Sequence, residues 1–457
     1  MYRRDVFKLL GWVLLGSSGS ACLGGEGTRK SGASQRRTVV IGAGIAGLAA
    51  ARELRRNGHE VVVLEARDRI GGRIWTSSRW PDLPLDLGAT WIHGVQGNPI
   101  TDLADEIQAS RLVTSYDQSI TYNTAGQLLT DAEAARLETI RNQVHSALQN
   151  AQNQDADVSV RQAVASLAQQ FQPSSAATRF LNFVVNSEIE QEYAGSANRL
   201  SAHWYDSAEK FDGDEALFAQ GFQVITDHLA TDIPIELSQV VKEIHWGQPE
   251  VRVITDRAEF VGDRVVVTLP LGVLQSNSIR FTPDLPSEKR NAIAKLGMGV
   301  LNKCYLRFDR AFWPDDVDWL GHVAAQPGEW TEWVSFKRVA NMPILLGFNA
   351  ADQGLKIEAW SDQQIVASAM DTLKTIFGAD LRQPIDYQIT RWATDPFARG
   401  SYSYNALGST PDMRNALAMP LQARLFFAGE ATHREYFGTT HGAYLSGLRA
   451  AKHVLST

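Results

Sequence analysis

A chain of 457 residues, 44% hydrophobic and 21% charged, has the mass for two or three domains and the composition of a soluble globular protein. Its net charge of -7 argues against a surface built to coat nucleic acid. Its only cysteines, Cys22 and Cys304, exclude a disulfide framework, and no zinc or iron–sulfur spacing occurs, so no metal site is expected.

Arg3 and Arg4 precede the apolar run Leu9–Leu15, and small residues then lead through Gly19, Ser20 and Ala21 to Cys22. This is the layout of a secretory signal over residues 1–22, too short in its apolar part to span a bilayer as a stable helix. The stretch Arg3–Lys8 resembles the twin-arginine export signal of bacteria, which carries folded proteins. It implies a periplasmic or otherwise extracytoplasmic protein with no transmembrane domain after processing. Cys22 is a candidate lipid anchor, although Gly19 stands where such signals carry an aliphatic residue. Residues 23–36, rich in Gly, Ser, Arg and Lys, read as a flexible linker.

The β-branched run Thr38–Ile41 predicts a buried strand, and Gly42, Gly44 and Gly47 follow in GxGxxG spacing before a helix that begins with Ala46 and Leu48. Val61–Leu64 predicts a second strand, ended by Glu65. Gly42 permits the tight turn, Gly44 the approach of a diphosphate, and Gly47 the packing of helix on sheet; Glu65 can accept from a ribose hydroxyl. Arg67, Arg69, Gly71, Gly72 and Arg73 add a second close backbone approach with cations beside it. This continuation resembles the FAD-binding fingerprint of the flavin amine oxidases, the monoamine and polyamine oxidase family. The resemblance gives Arg67, Gly71, Gly72 and Arg73 places along the diphosphate and flavin.

Gly88, Ala89, Thr90, Trp91 and His93 resemble the family's segment beneath the flavin, in the form seen in animal polyamine oxidases. There the matching histidine lies in the substrate tunnel, so His93 is expected on the substrate side. Residues 101–220 leave the dinucleotide pattern. Helices are expected over 132–152, 158–171 and 176–190 as a cap over the substrate. Glu188, Glu190 and Glu192 read as a possible acid cluster. Glu192 resembles a tunnel glutamate of some polyamine oxidases; a solvated helix end is the competing reading. Asp212, Asp214 and Glu215 add acid nearby.

Short strands are expected at 235–237, 240–244, 251–255 and 264–268. In the family, backbone near the Val240–Val241 position holds the adenine. Lys303 stands before an expected strand over 305–308, among apolar neighbours, where it needs a partner. It resembles the family's active-site lysine, which holds a water against flavin N5. Trp392 leads to Arg399–Tyr404, which resembles the family's aromatic wall. There Tyr404 matches the tyrosine over the flavin face, and Ser403 stands where covalently flavinylated monoamine oxidases carry cysteine, which implies non-covalent FAD. Gly429 and Glu430 end a strand, and Glu430 resembles the residue that bonds the ribityl region. A helix expected from Thr440 could aim its free N–H groups at the flavin. Thr439 occupies the place of a second sandwiching tyrosine.

The expected fold is therefore α/β: a two-domain flavin amine oxidase fold with a Rossmann-like FAD-binding domain from 37–100, 221–272 and 400–457. A substrate domain of mixed sheet and helical cap takes 101–220 and 273–399. The resemblance implies hydride transfer from a neutral amine, most simply a polyamine, to flavin, then imine hydrolysis and reduction of O2 to H2O2. Oxidation of an L-amino acid or a monoamine, and a non-catalytic flavin-fold binding protein, remain the alternatives. A histone demethylase reading fits poorly with the export signal.

Overall fold

The computed structural model describes residues 36–173 and 175–457. The expected signal segment, Cys22 and the linker up to residue 35 lie outside the described residues. Strand β1 (Arg37–Ile41), helix α1 (Ile45–Arg56) and strand β2 (Glu60–Leu64) form the opening unit. They belong to a five-stranded parallel sheet whose spatial order is Leu425–Phe427, Arg264–Val267, β1, β2, Ile235–Glu236. The continuous apolar runs of the three central strands follow from this position, because a parallel sheet is covered on both faces. Val40, Val63, Val266 and Phe426 face α1 and its neighbours. Val39, Ile41, Val265 and Val267 face a mixed four-stranded sheet that carries Val241, Ile244, Val251 and Val253.

Small residues set the helix layer. The C-terminal helix (Thr440–Leu455) packs on α1, and a Cβ on its Gly447 would run into the Ala46 carbonyl. Only residues without bulk let two backbones approach so closely.

A second region is built on a six-stranded sheet. Its order is Asp386–Ile389, Leu301–Arg307, Ile344–Ala350, Glu332–Ser335, Trp319–His322, Ser119–Tyr122. Helices between Asp131 and Tyr193 form the cap, and Leu137, Val144, Phe180, Val184 and Leu200 share one apolar cluster with Tyr404 and Phe437.

Three expectations are corrected. The helix expected over 158–171 is two short pieces, Val160–Ala163 and Ala165–Gln170, the first closed by a Ser159–Gln162 capping box. The helix expected over 176–190 is regular only to Val185 and widens into a π turn, Asn186–Glu190. There Glu190 is drawn aside to accept from Ala197 N at 2.9 Å and Asn186 Nδ2 at 2.9 Å. The strand expected to begin at Tyr305 begins at Leu301. Asn302 and Lys303 look like loop residues, but tertiary partners satisfy both.

The glycines of the first loop separate two demands. A Cβ on Gly47 would collide with the Gly42 carbonyl, whereas one on Gly44 (φ -74) would meet nothing nearer than Gly71 O at 3.9 Å. Gly47→Ala is thus expected to cost roughly 2–4 kcal/mol. Gly44→Ala is expected to leave the cofactor-free protein as stable as wild type, or up to ~1 kcal/mol more so, while losing cofactor binding. Thermal denaturation of both variants, with and without cofactor, checks this; equal losses of Tm without cofactor would contradict it.

Candidate active site

Two loops meet at the carboxyl ends of β1 and β2. Gly42 (φ 104) donates to Leu64 O at 2.8 Å, and Gly71 donates to Ala43 O at 2.9 Å. Gly44 bridges Gly71, and a Cβ on Gly72 would find only Gly44 Cα, at 3.5 Å. Packing alone demands Gly42 and Gly47 but not Gly44 or Gly72. Those two bare their backbones to a shared space, which fits a diphosphate laid across the loops.

Glu65 is buried beside this space. Its Oε2 accepts from Ala43 N at 2.8 Å and its Oε1 from Arg67 N at 2.9 Å. Each oxygen keeps a lone pair for a vicinal diol. Gln239 N donates to Glu65 O, and both backbone groups of Val240 are taken by Asp256. Val241 therefore begins its strand next to the Glu65 end. Arg67 forks onto Asp395 at 2.8 and 2.9 Å and lies over Phe397. It ties the 395–397 turn to the loop with its charge already paired.

The other end of the site centres on Glu430. Its Oε1 accepts from Arg73 at 2.9 Å, and its Oε2 from Ser403 Oγ at 2.6 Å and Gly438 N at 2.9 Å. Burial alone would raise its pKa. Arg73 foremost, then Ser403 and Arg414, outweighs burial and holds the carboxyl below its usual value. Arg73 also donates to Ser401 O, and its own carbonyl accepts from Ala89 N. A Cβ on Gly88 would strike that carbonyl. Gly429 (φ 117) faces open space on its Cβ side, its nearest neighbour being Thr268 O at 3.9 Å. Thr440 starts the C-terminal helix, and Thr439 caps it, accepting from Gly442 N at 3.0 Å. The N–H groups beyond that cap are a positive pole.

Lys303 is the third residue of its strand, not a residue before it. Its ammonium donates to Asp86 O at 2.9 Å, to Gly88 O at 2.6 Å and to Thr90 Oγ1. These match the three protons of an ammonium. Burial pushes the Lys303 pKa down and pushes the neighbouring Asp86 carboxyl up. Trp91 stacks on Trp319 at 5.8 Å, and Trp392 meets Trp75 edge-on at 6.4 Å.

The His93 side chain is 59% exposed, so its imidazole is open to solvent. The strand pairing Trp91–Leu217 and Ile92–Ala216, continued by one step, sets His93 opposite Glu215, and Nδ1 lies 2.6 Å from Oε2. Burial lowers the imidazole pKa, but Glu215, with help from Glu192, outweighs it and the net shift is upward. Glu192 is itself bonded to Lys210 at 3.0 Å.

The acids do not form one cluster. Glu188 pairs with Arg141 and His145 on the cap, and Glu190 closes the π turn. Only Glu192 and Glu215 act on His93. Tyr404 was expected over the flavin face. Its ring is buried against Gly297 and Gly195 in the cap cluster. Tyr402 is the one that lies beside Gly438 and Thr439: its ring is 3.5 Å from the Cβ position of Gly438, and its hydroxyl donates to Gln191 O at 2.6 Å. Burial, with Glu192 and Tyr116 behind it, keeps the Tyr402 proton on. In an extended chain, residues two apart share a face about 7 Å apart, so a Tyr-Ser-Tyr motif cannot say which ring reaches the site. Glu215 and Tyr402 are the residues the sequence reading undervalued; the register of two short strands was the missing signal for the first.

Residues 45–455 match the family described as flavin containing amine oxidoreductase. The chain is 35% identical over 441 residues to lysine-specific histone demethylase 1 homolog 1 of Oryza sativa subsp. japonica, covering 91% of this chain and 52% of that protein. It therefore spans about half the length of that relative. It is 34% identical over 433 residues to polyamine oxidase 2 of Arabidopsis thaliana, covering 91% and 87%. A structure of putrescine oxidase bound to putrescine aligns with a TM-score of 0.75 at 20% identity, covering 93% of this chain and 99% of that one. The fold is thus that of the flavin amine oxidases.

The His93–Glu215 pair has a pH signature. A histidine with a raised folded pKa adds stability that is complete below its unfolded value of about 6.5. That stability is lost as pH rises through the raised value. Glu215→Gln should lower Tm at about pH 5.5 and much less at about pH 9. Thermal melts at the two pH values check this, and an equal drop at both would refute the pairing.

Proposed function

The chain belongs to the flavin-containing amine oxidoreductases, and we propose that within that family it is an FAD-dependent polyamine oxidase. The flavin, when bound, supplies the two-electron oxidation of the amine and is restored by O2 with release of hydrogen peroxide. The remaining work falls to the chain. Gly44, Gly72 and Glu65 hold the dinucleotide end, and Arg73, Glu430 and the Thr440 helix start hold the flavin end. Lys303 fixes the Gly88–Thr90 loop and keeps a group that can hold or release a proton near the reacting centre. If a water is held there, it must replace one of the three protein acceptors of Lys303. Non-covalent attachment is supported by the serines before Tyr402 and Tyr404 and by the burial of Cys304.

The observation that carries the substrate reading is the pair of carboxylates acting on one solvent-open imidazole. Glu215 and Glu192 put negative charge at His93 and raise its pKa, and when the imidazole is neutral that acidic surrounding would draw the distal ammonium of a polyamine. The polyamine oxidase 2 likeness supports the same choice. Arg67 and Arg73, which might otherwise take an amino-acid carboxylate, are paired with Asp395 and Glu430.

A peroxide-release screen across polyamines, acetylpolyamines, aromatic monoamines and L-amino acids tests this, with Glu192→Gln and Lys303→Met beside wild type. Polyamine turnover is expected, with a raised KM in Glu192→Gln and slower flavin reoxidation in Lys303→Met by stopped-flow absorbance. Acid precipitation should release all yellow colour as FAD. Turnover confined to a monoamine or an L-amino acid would overturn the substrate reading.

Export by the twin-arginine route is proposed from Arg3 and Arg4. Replacing both with lysine should trap flavin-loaded protein in the cytoplasm of a bacterial host. Unchanged periplasmic delivery, followed by fractionation, would rule the route out.

A further inference from the structure

Arg414 is fully buried on the short helix Asp412–Ala418, and no step described above employs it. A buried guanidinium is costly unless its charge is compensated. Its Nε donates to Asn405 Oδ1 at 3.0 Å, and its Nη1 to Ser403 Oγ at 2.8 Å and Ala431 O at 3.3 Å. The group lies over the Phe437 ring, 3.9 Å from its centroid. The carboxylate it answers is Glu430, one hydroxyl away through Ser403 Oγ at 2.6 Å.

We propose that Arg414 is a positioning residue for the flavin pocket: through the Ser403 hydroxyl it fixes the Glu430 carboxylate, and so sets flavin affinity and reduction potential. The inference rests on the reading of Glu430 as a cofactor residue.

The direction of the relay follows from donor chemistry. Arginine only donates, so Ser403 Oγ must accept from it, and the single hydroxyl proton is left for Glu430. Ser403 cannot rotate away without losing both bonds. Glu430 is thereby held between Arg73 on one oxygen and Ser403 on the other. Arg414 also places a positive charge close behind that carboxylate, in a low-dielectric interior where charges act strongly. Removing it frees the hydroxyl and makes the pocket more negative. A more negative pocket makes the flavin harder to reduce.

The test uses holoenzyme of wild type, Arg414→Leu, Arg414→Lys, Ser403→Ala and Glu430→Gln. Flavin Kd is read by fluorescence titration and the midpoint potential by dye equilibration. Arg414→Leu and Ser403→Ala should each raise Kd by about tenfold or more, the worth of one charge-assisted hydrogen bond. Arg414→Leu should also lower the midpoint, and Arg414→Lys, which keeps the charge but not the fork, should restore potential more than affinity. A variant combining Arg414→Leu with Ser403→Ala should be no worse than Arg414→Leu alone, because both act along one path. If Arg414→Leu does not fold, Ser403→Ala, which deletes a single oxygen, carries the affinity test. Wild-type Kd and midpoint in Arg414→Leu and Ser403→Ala, with both values moved in Glu430→Gln, would overturn the role of Arg414. Wild-type values in Glu430→Gln as well would overturn the cofactor assignment beneath it.

Discussion

The carboxylate of Glu430 is the point on which the site depends. It joins four parts of the chain: the loop after β2 through Arg73, which is far away in sequence, the return strand through Ser403, the turn through Gly438, and its own short helical turn. A buried carboxylate without donors would sooner take a proton than keep a charge. Here every element that must converge brings a donor, so correct convergence and retention of the charge are the same event. Arg67 with Asp395 performs a smaller version of this at the other loop.

Much of this was legible in the sequence because it depends on backbone chemistry with few solutions. A tight turn, a close backbone approach and an acid after the second strand leave a fixed spacing of Gly42, Gly44, Gly47 and Glu65, and few other residue types serve. Buried parallel strands must be continuously apolar, so Thr38–Ile41 and Arg264–Val267 announced themselves. The start of the C-terminal helix near Thr440 was equally legible, and the structure adds Thr439 as its cap.

The rest depended on contacts that local pattern does not encode. Lys303 looked like a residue ahead of a strand because a cation inside a buried strand is unexpected; three acceptors from Asp86 to Thr90 reverse that expectation. Tyr402 and Tyr404 carry the same signal, and only packing against Gly438 or Gly297 distinguishes them. Glu215 was one acid among several until strand register set it opposite His93. Arg414 carried no signal, since an arginine in a polar helix reads as solvated surface.

The strand order of the parallel sheet has a consequence in time. Leu425–Phe427 lies beside Arg264–Val267, which lies beside β1, and Glu430 follows immediately. Long-range pairing of this kind pays its loop-closure entropy before any contact repays it. On a ribosome, the first strands and the glycine loop emerge early but cannot complete the site until the chain has been made as far as Glu430. The nascent chain must carry its exposed apolar edges through that interval, and cofactor capture waits for it.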